Sequence, residues 1–199
     1  MALPVSLNPT PVDRLWPAAP GAQRLARSVV LALIGSLLLW ASAKVQVPFY
    51  PVPMTMQTAV VFLIGIAYGP RLGAATVLLY LAEGAMGLPV FAGTPERGIG
   101  LPYMMGPTGG YLASYPLVAA LVGYAAQRSR GLLPLGLALL AGTATIYLLG
   151  AGWLAGFVGL EKAVAVGVVP FLLGDAVKLA LVAALAAAGL ARLERGPAA

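Results

Sequence analysis

The feature that most constrains this chain is a succession of long apolar runs, broken only by short stretches of Pro, Gly or single charges, that fills nearly its whole length. Of its 199 residues, 60% are apolar and 9% charged, a balance that no water-soluble domain of this size needs for its core. The solvent for most of the chain is therefore lipid. Backbone N–H and C=O groups in lipid must pair within the chain, and runs of this length pair as helices. The expected fold class is an all-α integral membrane protein, in which frequent Gly and Pro are tolerated at helix contacts and breaks.

A crossing helix needs roughly 20 apolar residues. Six candidate spans run approximately from Ser28 to Val47, Met56 to Gly69, Arg71 to Leu88, Thr108 to Gln127, Leu132 to Trp153 and Ala163 to Leu190. The second is short, and Pro48, Pro51 and Pro53 make the chain ahead of it extended rather than helical. Single basic residues orient the bundle. With both termini cytoplasmic, Arg14, Arg24, Arg27, Arg71, Arg128, Arg130, Arg192 and Arg195 fall inside, leaving Lys44, Arg97 and Lys162 outside. Five spans would strand the last two arginines on the wrong side. The expected organisation is a cytoplasmic tail over 1–27, a six-helix membrane domain over 28–190 and a cytoplasmic tail over 191–199. A cleaved signal peptide is disfavoured, because the first apolar run leads into Lys44 and a Pro-rich turn without a small-residue cleavage pattern.

The chain has no Cys and no His, which removes thiol chemistry, imidazole metal sites and His-dependent triads. Its net charge of +6 is scattered singly and forms no nucleic-acid-binding stripe. No Walker A sequence is present, so ATP hydrolysis would have to come from another chain. We expect neither an enzyme nor a cofactor.

Chemistry is sought where polar groups interrupt the apolar runs. Asp175 and Lys178 stand about 12 and 15 residues into the sixth span, near mid-membrane and on one face. A charge at that depth costs several kcal/mol or more unless it is partnered. An internal salt bridge explains the pair, but a ligand path is preferred, since such pairs are often replaceable by apolar residues without loss of stability. Glu83, with Tyr80 one turn earlier, either lines that path or pairs with Lys44 near the outer end. Arg97 is the one guanidinium in the long outer loop between Gly87 and Thr108, and guanidinium matches a carboxylate, although a lone loop Arg is more often a solvated charge. Thr108, in Met105-Gly106-Pro107-Thr108-Gly109-Gly110-Tyr111, is placed to cap the fourth span, whose N-terminus would offer N–H donors to a polar ligand. Ser28, Ala32 and Ser36 form a smooth ridge for helix packing or for docking a partner subunit.

Five motifs, in order, resemble the BioY family, the biotin-specific S components of energy-coupling factor (ECF) transporters. They are Val47-Pro48-Phe49-Tyr50-Pro51-Val52-Pro53-Met54-Thr55-Met56-Gln57-Thr58, Gly69-Pro70-Arg71-Leu72-Gly73, Tyr80-Leu81-Ala82-Glu83-Gly84-Ala85-Met86-Gly87-Leu88-Pro89-Val90-Phe91, Gly106-Pro107-Thr108-Gly109-Gly110-Tyr111 and Gly174-Asp175-Ala176-Val177-Lys178. The resemblance implies a six-helix component of the cell membrane that binds biotin at its outer face and works with a transmembrane T component and two ATPase subunits. It also leaves room for operation without them, as a homo-oligomer. It further implies that Asp175 and Lys178 meet the ureido head, that Tyr80 and Tyr111 pack the rings, and that Arg97 meets the carboxylate. The rival from another class is a solitary secondary transporter of biotin or another solute, with Glu83, Asp175 and Lys178 relaying protons. An intramembrane aspartyl protease would need a second Asp in a span, and the spans hold one.

Overall fold

The computed structural model describes residues 8–17, 20–129 and 131–195, so Arg130, the ends of both expected tails and Ala18–Ala19 lie outside the described residues. The helices are α1 (Pro11–Leu15), α2 (Ala22–Lys44), α3 (Gln57–Ala85), α4 (Gly100–Met104), α5 (Gly109–Arg128), α6 (Leu132–Val158), α7 (Leu160–Gly167) and α8 (Leu172–Arg195). A short antiparallel pair, β1 (Gln46–Val47) with β2 (Met54–Thr55), is the one piece of sheet among the described residues. Four stretches, Ala22–Lys44, Gln57–Ala85, Leu132–Val158 and Leu160–Gly189, are long and apolar enough to cross a membrane. Leu37, Leu137, Leu140, Leu148 and Val177 lie exposed on the outside of this bundle. Such an apolar exterior is stable against acyl chains and not against water.

Helix α3 is a hairpin rather than a rod. Gly69 adopts φ 78° and ψ 177°, a conformation open to Gly, and Pro70 follows without an N–H to continue the helix. A Cβ built on Gly73 would stand 3.3 Å from the Gly65 Cα, whereas residues eight apart in one straight helix are about 12 Å apart. Residues 57–68 and 70–85 therefore lie side by side, as the Gly-Pro-Arg sequence suggests. Helix α5 approaches this hairpin through backbone: a Cβ on Gly123 would meet the Gly65 carbonyl oxygen at 2.6 Å. Small residues at such seams replace the hydrophobic drive that lipid does not supply. Phe62, Val61, Val77, Val118 and Val122 fill the interior behind them.

Several expected boundaries move. Helix α2 starts at Ala22, ahead of Ser28. The last expected span is interrupted: Val168 leaves helical geometry with φ −127° and ψ −61°, and Val169–Phe171, containing Pro170, form a 3-10 turn before α8 begins. Asp175 thus sits in the first turn of α8, not midway along an unbroken helix. Its carboxylate there faces the positive end of the helix dipole, which favours it. Of the ridge of Ser28, Ala32 and Ser36, Ser36 turns inward. Ser36 is 2% exposed and its hydroxyl donates to Glu83, while Ser28 and Ala32 are half-buried.

The segment ahead of α2 packs onto the bundle. Both the backbone N–H and the side-chain amide of Asn8 donate to the Gln127 carbonyl at 2.9 Å. Buried Thr10 caps α1 in a reciprocal box with Asp13, and Asp13 accepts from Arg27 Nη2 of α2 at 2.9 Å. Partial burial alone would push the Asp13 carboxyl up, but its hydrogen bonds from Thr10 and Arg27 outweigh that and hold it below the usual carboxylate value.

Candidate ligand pocket

One end of the bundle is hollow. The β1–β2 turn, the start of α3, α4, the first turns of α5, the middle of α6 and the start of α8 enclose a cavity of about 550 Å³ measured out to its mouth. Asp175 and Lys178 form its polar wall. They are 8% and 6% exposed, and Lys178 Nζ donates to Asp175 Oδ1 at 2.8 Å. Two further helices hold them: Tyr147 of α6 donates its hydroxyl to Asp175 Oδ2 at 2.5 Å, and Lys178 reaches Thr58 Oγ1 of α3 at 3.3 Å. A buried pair tied on both sides is pre-set, presenting a fixed acceptor and a fixed donor to the cavity.

Aromatic and apolar side chains make the remaining walls. Tyr111 lines the cavity with its ring while its hydroxyl donates to the Gly167 carbonyl at 2.8 Å, pinning α5 to the break before α8. Tyr103 of α4 lines it too, stacked on Phe91 at 5.1 Å between ring centroids and donating to the Ala92 carbonyl at 2.7 Å. Burial pushes the Tyr103 phenol up from its ordinary value, keeping it a neutral donor. Phe171, from the 3-10 turn, and Tyr115 add further aromatic rings, and Met54, Leu112 and Ile146 add aliphatic surface.

Of the residues expected from sequence, Asp175, Lys178, Tyr111 and Thr108 are brought together here. Thr108 does so without capping α5: its φ −84° and ψ −7° are already helical, so its hydroxyl makes no cap bond. Exposed Arg97 lies in an adjoining vestibule with Tyr50, Pro51 and Pro102, which shares Tyr103 and Thr108 with the cavity.

Tyr80 and Glu83 are not among the lining residues. Tyr80 is fully buried behind the wall, donating to the Val90 carbonyl at 2.9 Å and accepting from Gln57 Nε2 at 2.7 Å, so it supports Gln57, which does line the cavity. Glu83 is turned toward α2, where it accepts from Ser36. Lys44, the other partner considered for it, instead donates to the Phe91 and Thr94 carbonyls, each at 3.0 Å, and fastens the loop beneath the vestibule. Sequence reasoning did not single out Tyr147, Thr58 and Tyr103. Thr58 and Tyr103 fall in or near the family-like motifs, whereas Tyr147 carries no signal beyond being a polar tip in an apolar helix.

A helical bundle dressed for lipid, with one end hollowed around a buried ion pair and a ring of aromatics, is a membrane-embedded binding protein for a small molecule that is part polar and part apolar. The BioY family profile matches residues 13–195, and the chain belongs to the BioY family. A protein of Pyrococcus horikoshii described as a probable biotin transporter BioY is 39% identical over 155 residues, 78% of this chain and 91% of the relative. The biotin transporter BioY of Thermotoga maritima is 39% identical over 169 residues, 84% of this chain and 98% of the relative. The crystal structure of the S-component for biotin from an ECF-type ABC transporter has the same fold, with a TM-score of 0.74 at 22% identity, covering 89% of this chain and 95% of that one.

Proposed function

We propose that this chain takes up biotin as the substrate-capturing S component of an ECF transporter, a transport protein rather than an enzyme. The observation that carries the proposal is the buried Asp175–Lys178 pair in the wall of a cavity built for a small ligand, in a chain whose relatives are biotin transporters. The ureido ring of biotin has two N–H donors and one carbonyl. Asp175 accepts from the former and Lys178 donates to the latter. Tyr111, Tyr103 and Phe171 pack the apolar bicycle, Thr108 meets the tail, and Arg97 in the vestibule receives the terminal carboxylate.

In this account the α3 hairpin counts as two spans, giving six in all with α2, α5, α6 and α8. The hollow end faces outward, both termini face the cytoplasm, and the membrane is the cell membrane. The distribution of charge supports this orientation. Lys44 and Arg97 belong to the hollow end, while Arg24, Arg27 and Arg71 border a cleft that also includes Gln127, at the far end of α5. A T component and two ATPases supply the energy for delivering biotin inward. Glu83, held by Ser36 away from the pair, is poorly placed to relay protons to it, which favours this scheme over a solitary proton-coupled transporter.

The test is biotin accumulation in biotin-requiring cells lacking their own importer, expressing the chain with or without a T component and ATPases. Uptake only with the partners, abolished by Lys178→Ala, is the expected result. Full uptake without them would replace the ECF scheme with the solitary transporter, and no uptake in either case would refute the assignment.

A further inference from the structure

The opposite end of the bundle carries a second, basic cleft that biotin capture does not use. It is bordered by Arg24, Arg27, Tyr68, Arg71 and Gln127 and, from the N-terminal segment, by Asp13, and encloses about 1510 Å³ measured out to its open mouth. Thr58 lines the ligand cavity and Tyr68 lines this cleft, so about ten residues of helix, or roughly 15 Å, separate the two. Three guanidinium groups face one carboxylate here. Arg27 is 6% exposed and gives Nη2 to Asp13, but its buried Nε–H has no partner among the described residues. With two guanidinium groups in excess of the carboxylate, the wall is matched to an anion, and charge-assisted hydrogen bonds from arginine are among the strongest an anion can accept.

An apolar groove begins where the cleft ends. Arg27 and Pro17 belong to both, and the groove continues over Trp16, Ala26 and Val30. Trp16 and Val30 are exposed, as are Val29 and Leu33 further along α2. A cluster of arginines opening onto an apolar helix face beside an exposed Trp has the arrangement of an interfacial site, with charge at headgroup level and hydrocarbon alongside. We propose that the cleft binds the phosphate headgroup of an anionic phospholipid, with Arg24, Arg27 and Arg71 holding the phosphate and the Trp16–Val30 groove taking the start of an acyl chain.

The experiment is thermal unfolding of the purified full chain in uncharged detergent, titrated with dihexanoyl phosphatidylglycerol, dihexanoyl phosphatidylcholine or inorganic phosphate. Arg24 and Arg71 are exposed, so Arg24→Gln and the double variant Arg24→Gln/Arg71→Gln should fold, as their midpoints without added lipid will show. The expected result is saturable stabilisation by the phosphatidylglycerol alone. Its apparent affinity should fall at least tenfold in the double variant, severalfold in Arg24→Gln and less than twofold in Arg128→Gln, a charge at the same end outside the cleft. Equal stabilisation by phosphatidylcholine, an equal loss in Arg128→Gln, or full retention by the double variant would overturn the site. Stabilisation by inorganic phosphate with the same arginine dependence would overturn the lipid as its source.

Discussion

The residues on which the proposed site rests are charges that their own apolar surroundings penalise. Asp175 and Lys178 remain in the wall because each neutralises the other and because Tyr147 and Thr58 satisfy them further. Removing one member leaves an uncompensated buried charge, a loss of about 3–5 kcal/mol. Replacing both by apolar residues of similar volume avoids that cost. Asp175→Leu/Lys178→Met should therefore unfold at a higher temperature than Lys178→Met alone and still fail to bind biotin. Recovery of binding along with stability would mean that the pair only holds the helices together. Tyr147→Phe removes a hydrogen bond to a charged group, an interaction of about 1.5–3 kcal/mol. It should weaken biotin binding about tenfold or more in a titration while leaving the protein folded, and unchanged affinity would take Tyr147 out of the site.

At the scale of elements, the pocket depends on how loops and helix ends wedge together. The Phe91 ring occupies the space where a Cβ on Gly84 would lie, and Phe91 in turn stacks on Tyr103 of the pocket wall. Gly84→Ala should cost about 1–3 kcal/mol by overpacking and weaken biotin binding by displacing Tyr103. Adding Phe91→Leu should recover much of the stability, and if it recovers none, the wedge is not the cause. These elements also show which parts of the sequence could be interpreted in advance. The Gly69-Pro70-Arg71 turn was legible because Gly and Pro have fixed conformational meanings, and the Asp175–Lys178 pair because ionised groups are rare in apolar runs. Tyr80 and Glu83 were harder to place: helical spacing tells which residues share a face, but not which neighbour that face meets. Pro48, Pro51 and Pro53 concealed the β1–β2 pair, and the Pro-rich start concealed the docking of Asn8, Thr10 and Asp13.

The whole molecule is a bundle with two different ends, an aromatic pocket at one and a basic cleft at the other. Its orientation can be read directly, because the chain has no Cys of its own. Single cysteines replacing Glu96 or Lys162 should react with a membrane-impermeant thiol reagent in intact cells, and those replacing Arg128 or Arg192 only after lysis. The opposite pattern would invert the bundle and the direction of capture. The central claim, that the hollow end is a biotin site organised by Asp175 and Lys178, is tested most directly by equilibrium binding to the purified, detergent-solubilised chain. Thiamine and riboflavin serve as controls, and Asp175→Asn and Lys178→Ala as variants. The account predicts saturable binding of biotin alone, weakened at least tenfold by either substitution. Biotin binding that both variants retain in full, or none by a well-folded sample, would contradict it.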